Sequence, residues 1–277
     1  MRVGILLDIS GDYREKIQHA KDLGFDFGQL VVWDMDFYTD ENAKALRAAL
    51  DEIGFEAVSL WCGWDGPIDW KYPDGYHTLG LVPDWLRDRR VKQLHKGAEF
   101  ARKAGIDLVA THTGFLPDDP RDPKHVAITL ALKELCTELK KHGQRFEFET
   151  GEELPVTLAL LIKEIGLDNV GINFDPANFI INGRGNPQDA MDMLGDHIFG
   201  MHAKDAVQAN FGEPSGKEVQ IGTGRVDFKA LITKLKEHNY DGDIIIEREI
   251  PYGEERDRDV LASREYLQNI IDEVYGK

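Results

Sequence analysis

The sequence predicts a closed (β/α)8 barrel of the TIM type, a single domain over residues 1–277. Three observations carry this. Short apolar runs alternate with amphipathic stretches along the whole chain, and strict alternation of strand and helix forces a parallel sheet. The count reaches eight such units, in about the 250 residues that a closed barrel needs. The first strand runs into DISGDY, without the GxGxxG or GxxxxGK[ST] that would mark an open nucleotide-binding sheet.

Residues 3–9 (VGILLDI) read as the first strand, and 12–23 as a helix with Ile17, Ala20 and Leu23 on one face, stopped at Gly24. Strand two spans 25–33, helix two 41–53 up to Gly54, and strand three 55–62. A glycine just past each helix supplies a left-handed C-cap. The rhythm breaks at 63–84, GWDGPIDWKYPDGYHTLGLVPD, a loop rich in Gly, Pro, Trp and Tyr. A loop of this length is functional or disordered, and its aromatic content predicts a lid or pocket wall. A helix over 85–104 ends at Gly105, and strand four spans 106–114 with His112 near its end. Then come a helix over 124–142, strand five at 144–150, a helix at 154–165 and strand six at 169–175. A short helix at 187–194 precedes strand seven, 198–204. A second long loop, 205–225, leads to a helix at 227–238, strand eight at 243–249 and a last helix at 256–275.

Composition removes several function classes. Against 33 basic residues stand 50 acidic ones, a net charge of −17; that field repels phosphate polymers, and no basic patch offsets it. Nucleic acid is therefore not an expected partner. MRVGILLD is too short and lacks the basic start of a signal peptide, and no run approaches the roughly 20 apolar residues of a membrane span. Cys62 and Cys136, without CxxC spacing, read as reduced thiols. The expectation is a cytoplasmic protein free of membranes, with a homo-oligomer left open.

In a barrel of this kind the active site lies at the C-terminal strand ends. Glu149, Asp175, His202 and Glu247 fall at the ends of strands five to eight. Strand alternation supports an inward aim. Phe146 and Phe148 should face the helices, leaving Arg145, Glu147 and Glu149 towards the axis; Ile244 and Ile246 face out, leaving Ile245, Glu247 and Glu249 inward. Arg145 and Glu147 are then expected as a buried ion pair. Three carboxylates with one imidazole suit one fairly hard divalent ion, Mn²⁺ first, with Mg²⁺, Co²⁺ and Zn²⁺ as alternatives. Without a cation such carboxylates repel, and one would stay protonated.

The strings FETGEE, INFDPAN, MHAKD, GTGRVDF and YDGDIIIERE resemble the sugar phosphate isomerase/epimerase family, the xylose isomerase-like barrels. The resemblance covers nearly the whole chain and is strongest over 144–250. That family includes ketose 3-epimerases, hydroxypyruvate isomerase, inosose dehydratase and, more remotely, endonuclease IV. It implies a metal held by Glu149, Asp175, His202 and Glu247, and the ketose 3-epimerases imply that Glu149 and Glu247 also exchange the proton. The chemistry is coherent: a divalent ion on the carbonyl and neighbouring hydroxyl oxygens stabilises a cis-enediolate. One carboxylate takes the proton and the other returns it from the opposite face, inverting the centre. Return to the adjacent carbon gives isomerisation, and loss of a β-hydroxyl gives dehydration. The expected function is a divalent-metal-dependent isomerase or epimerase of a ketose or polyol. A keto-polyol dehydratase is the second reading and a catalytically silent sugar-binding barrel the third.

Departures from the family matter too. Asn178 stands where endonuclease IV and the ketose 3-epimerases carry histidine, no DxH follows His202, and Gln208 lies where the epimerases have arginine. A trinuclear nuclease site is not expected, and the sugar contacts differ from those of the epimerases. Candidate substrate contacts are His112, Asn178, Lys204, Trp33, Trp64 and Arg225. Each has a plain alternative: Lys204 paired with Glu247 or Asp205, His112 a polar strand end, Trp33 a core residue, Arg225 a turn residue. No clear phosphate cup is visible, which favours a non-phosphorylated polyol.

Overall fold

The computed structural model describes residues 1–276. Eight parallel strands close into a barrel: β1 (Val3–Asp8), β2 (Phe27–Val32), β3 (Glu56–Cys62), β4 (Leu108–Thr111), β5 (Arg145–Glu149), β6 (Val170–Phe174), β7 (Ile198–Ala203) and, last in the chain, β10 (Ile244–Ile246). Closure comes from β1 beside β10, with Val3 opposite Ile244 and Ile5 opposite Ile246. Around the wall run α1 (Tyr13–Asp22), α2 (Asp40–Ile53), α4 (Asp84–Ala104), α5 (Pro123–Lys141), α6 (Pro155–Ile165), α9 (Phe228–Glu237) and α10 (Glu254–Tyr275). Among the described residues no helix is long and apolar enough to cross a membrane.

Local chemistry sets these boundaries. Thr39 caps α2 by accepting the Asn42 N–H at 3.1 Å, a contact worth about 1 kcal/mol. Gly105 ends α4 at φ 77, where a side chain would be strained. Proline opens α5 and α6, where its missing N–H costs nothing. The large core lies between barrel and helices and includes Phe146, Phe148, Ile244 and Ile246. Their neighbours Glu147 and Glu149 are buried on the other side, inside the barrel. Alternation along β5 thus holds.

Three features depart from the sequence expectation. One helix per strand is not kept: β6 is followed by α7 (Pro176–Ile181) and then α8 (Pro187–Leu194). The 205–225 loop folds into an antiparallel pair, β8 (Asp205–Val207) with β9 (Lys217–Val219). Asp205 holds its far end, accepting the N–H groups of Gly222, Gly224 and Val226. The 63–84 loop contains a single turn, α3 (Gly75–Thr78).

That loop is braced from beneath. Arg90, on α4 and fully buried, donates to the carbonyls of Asp65, Pro67, Thr78 and Gly80 at 2.6–3.3 Å. At Gly80 (φ 58) an added Cβ would lie 2.0 Å from the Thr113 carbonyl oxygen, so only glycine lets the loop come this close to the end of β4.

The expected Arg145–Glu147 pair does not form. Arg145 is exposed at the N-terminal rim, with its guanidinium carbon 4.9 Å from the Phe199 ring centre. As the first residue of β5 it reaches water, and desolvating a guanidinium costs more than a buried pair returns. Glu147 stays fully buried, and burial pushes its pKa up to about 8. Glu249 also fails the inward expectation: β10 ends at Ile246, and the Glu249 side chain is more than half exposed.

Candidate functional site

Four strand ends deliver one cluster. Glu149 closes β5, His202 lies near the end of β7, and Asp175 and Glu247 come immediately after β6 and β10. One ligand atom from each can be chosen so that all lie within 4.8 Å of one another, and all four residues are buried. The His202 Nδ1 atom is 3.2 Å from Glu149 Oε1, 3.0 Å from Glu247 Oε2 and 3.7 Å from Asp175 Oδ2.

The donor set fits a divalent cation. Asp175 Oδ2, His202 Nδ1 and Glu247 Oε2 are buried without a hydrogen-bond partner, a costly state for polar atoms that point at nothing. Asp175 shows the division of labour: Oδ1 caps α7 by accepting the Ala177 and Asn178 N–H groups at 2.8 and 3.0 Å, leaving Oδ2 for the cluster. The imidazole is oriented in a similar way. Its Nε2 lies 2.7 Å from Gln29 Oε1 and 2.9 Å from Asn173 Nδ2, contacts that hold the ring with Nδ1 turned to the centre. Burial opposes charge on His202, but Glu149 and Glu247 beside it drive its pKa well above the ordinary value. Such a shift is the electrostatic mark of a site that calls for positive charge.

Glu149 is held on both oxygens. The Trp61 indole N–H donates to Oε2, and the Asn178 amide donates to Oε1 at 3.3 Å. A hydrogen bond to an ionised carboxylate is worth about 1.5–3 kcal/mol. Burial alone would raise its pKa, yet His112 and His202 outweigh that and keep it well below the usual carboxylate range. These contacts favour its ionised form. His112 Nε2 lies 3.5 Å from Glu149 and its Nδ1 3.3 Å from Glu152. Burial works against a charged His112, but these two carboxylates raise it to about 10. Lys204, also buried, reaches Glu247 at 3.4 Å and Glu249 at 3.0 Å. The expected Lys204–Glu247 pairing and a place in the site hold together.

The cluster opens into a cavity of about 410 Å³. Trp33, Trp61 and Trp70 line it, as do His112, Asn178 and Lys204. Two expected contacts fall outside. Trp64 sits behind the wall, packed on Trp33 and Trp61 at ring distances of 5.5 and 5.7 Å; it supports the wall rather than forming it. Arg225 is exposed and away from the cavity, its backbone N–H bonded to the Ala206 carbonyl. It turns the chain, because Asp205 pins the residues on either side. Sequence reasoning missed Trp61, Gln29 and Glu152, and it reached Trp70 only as part of the 63–84 loop expected to be a lid or pocket wall. Trp61 and Gln29 could have been found from the inward parity of strands three and two; Trp70, on an irregular loop, gives no such signal.

The sequence model for the xylose isomerase-like TIM barrel matches residues 17–270. A xylose isomerase domain protein from Planctomyces limnophilus superposes with a TM-score of 0.93 and 31% identity over 99% of both chains. An L-ribulose-5-phosphate 3-epimerase of Shigella boydii is 24% identical, over 92% of this chain and 88% of its own. A D-tagatose 3-epimerase-like protein shares the fold at a TM-score of 0.75 and 22% identity, over 100% of this chain and 99% of its own.

Proposed function

Because the chain belongs to the xylose isomerase-like TIM barrel family, we propose that it is a divalent-metal-dependent ketose epimerase or isomerase. One observation carries the reading: ligand atoms from four strand ends within 4.8 Å, three of the cluster's buried atoms lacking any hydrogen bond. Relatives that include an L-ribulose-5-phosphate 3-epimerase support the ketose class. Glu149, Asp175, His202 and Glu247 would hold the ion, with Mn²⁺ expected first. When bound, it supplies Lewis-acid polarisation of a ketone and its neighbouring hydroxyl.

The chain's own groups do the proton work. Glu149, ionised and fixed by Trp61 and Asn178, takes the proton from the carbon beside the carbonyl. Glu247, on the strand separated from β5 by β6 and β7, starts protonated and delivers its own proton to the other face, so that the two carboxyls exchange protonation states and reset through solvent. Transfer by a positioned carboxylate is worth about 10²–10⁴ in rate. The tryptophan wall excludes water and meets the apolar face of the sugar, while His112, Asn178 and Lys204 supply hydrogen bonds to its hydroxyls.

The test is a panel of ketoses and ketose phosphates in D₂O with Mn²⁺-loaded protein, read by NMR. Deuterium should enter at the carbon next to the carbonyl of at least one member. Complete absence of exchange across the panel, with the ion shown to be bound, sinks the reading.

A further inference from the structure

One lysine and two arginines line the cavity, and they differ in one respect. Lys204 is matched by Glu247 and Glu249. Arg248 is matched by Glu218 at 2.9 Å and Asp259 at 2.8 Å. Arg256, at the start of α10, is only 4% exposed, yet among the described residues no carboxylate lies within ion-pairing distance of it. A buried guanidinium without a counter-charge is unfavourable unless other acceptors satisfy it. Arg90 donates from all three nitrogens to four backbone carbonyls, whereas Arg256 reaches only two, and its Nη1 has no acceptor among the described residues.

Its orientation is fixed by groups of the cavity wall. The Nη2 atom donates to the Leu6 carbonyl at 2.9 Å and Nε to the Arg248 carbonyl at 3.4 Å. The guanidinium carbon sits 4.4 Å from the Tyr252 ring centre, and that ring is anchored where the Asp8 N–H donates to its hydroxyl at 3.1 Å. Leu6, Arg248 and Tyr252 themselves line the cavity. With Nε and Nη2 each donating once, Nη1 donates to no group among the described residues and is the free end of the Nη1–Nη2 edge. Two parallel N–H groups on that edge match the two oxygens of a carboxylate or phosphate.

We propose that Arg256 recognises an anionic group on the substrate, so that the cavity takes a ketose bearing a carboxylate or a phosphate ester. This deepens the ketose reading and rests on it. A phosphate ester would also replace the sequence-based preference for a non-phosphorylated polyol: the loop motifs offer no phosphate cup, whereas this cation lies on the first turn of the last helix. Asp8 and Glu249 on the same wall restrict the anion to the one edge that Arg256 offers.

The experiment compares L-ribulose, L-ribulose 5-phosphate and the uronic ketose D-fructuronate on the Mn²⁺-loaded protein. Thermal shift reads binding, and deuterium exchange reads KM and kcat separately. Wild-type protein should bind one of the two anionic ketoses about tenfold more tightly than L-ribulose, the worth of one good charge-assisted contact. R256Q should erase that preference through KM, and R256K should keep part of it, a point charge without the fork. Phosphate ahead of carboxylate identifies a sugar phosphate, and the reverse order a sugar acid. Equal or better binding of L-ribulose by the wild type, no binding of any probe, or a preference that survives in R256Q overturns the proposal. Should R256Q fail to fold, an undiminished preference in R256K does the same. If no ketose exchanges deuterium, the reaction reading fails, while the thermal shifts still decide the anion site.

Discussion

The two sides of the barrel mouth are built from opposite materials. The ends of β2 and β3, with the loop that follows, present Trp33, Trp61 and Trp70. The ends of β5, β6, β7 and β10 present three carboxylates and an imidazole. The aromatic side is self-sufficient: its rings pack on one another at 4.9–6.3 Å and would keep their places with nothing bound. The charged side is not: it gathers buried like charges with unpaired atoms, an arrangement that a proton or a cation would relieve. In the proposed reaction, contact with the apolar face of the sugar and handling of its proton would fall to different arcs of one ring. Side-chain hydrogen bonds join the arcs. Trp61 donates to Glu149, and Gln29 of β2 meets His202 of β7.

Substitutions on each arc should have different signatures, and the largest belongs to the charged side. E247Q is expected to lower kcat by about 10³-fold or more, with circular dichroism and melting unchanged in shape; appreciable turnover would remove Glu247 from the proton path. Next is Q29L, on the aromatic side by strand but bonded across the axis. It should weaken Mn²⁺ affinity by about 10–100-fold, the usual cost of losing a partner to a ligating histidine, as measured by calorimetry. Unchanged affinity would mean that the arcs are uncoupled. W70A should raise KM several-fold, in line with roughly 1 kcal/mol of lost aromatic contact, while kcat stays within about twofold; a fall confined to kcat would break the division between arcs. R225A, outside the cavity, should leave both constants unchanged, and a loss of activity would reopen its role.

The charged side was legible from sequence because it obeys one periodic rule. Where a strand is buried on both faces, as in FEFE at 146–149, alternation assigns every side chain, and four acidic or imidazole strand ends converge by topology alone. The rule fails at strand margins. Arg145 had inward parity, but at the first position of β5 it had water to go to. Glu249 had it too, but β10 stops at Ile246. Loops follow no period at all, so Trp70 and Trp64, six residues apart, could not be sorted into lining and backing; Arg90 makes that distinction, and nothing in the 63–84 segment itself announces a guanidinium from the next helix. The β8–β9 pair was hidden for a related reason: its three-residue strands are too short to show alternation, and Asp205 sets their geometry through backbone amides rather than through any pattern of side chains.

The brace on the 63–84 loop has a consequence for traffic. With Arg90 tied to four of its carbonyls and Gly80 pressed against Thr113, this wall is a fixed jamb rather than a swinging door. Passage then belongs to the facing rim, where Glu249 and Tyr252 are exposed.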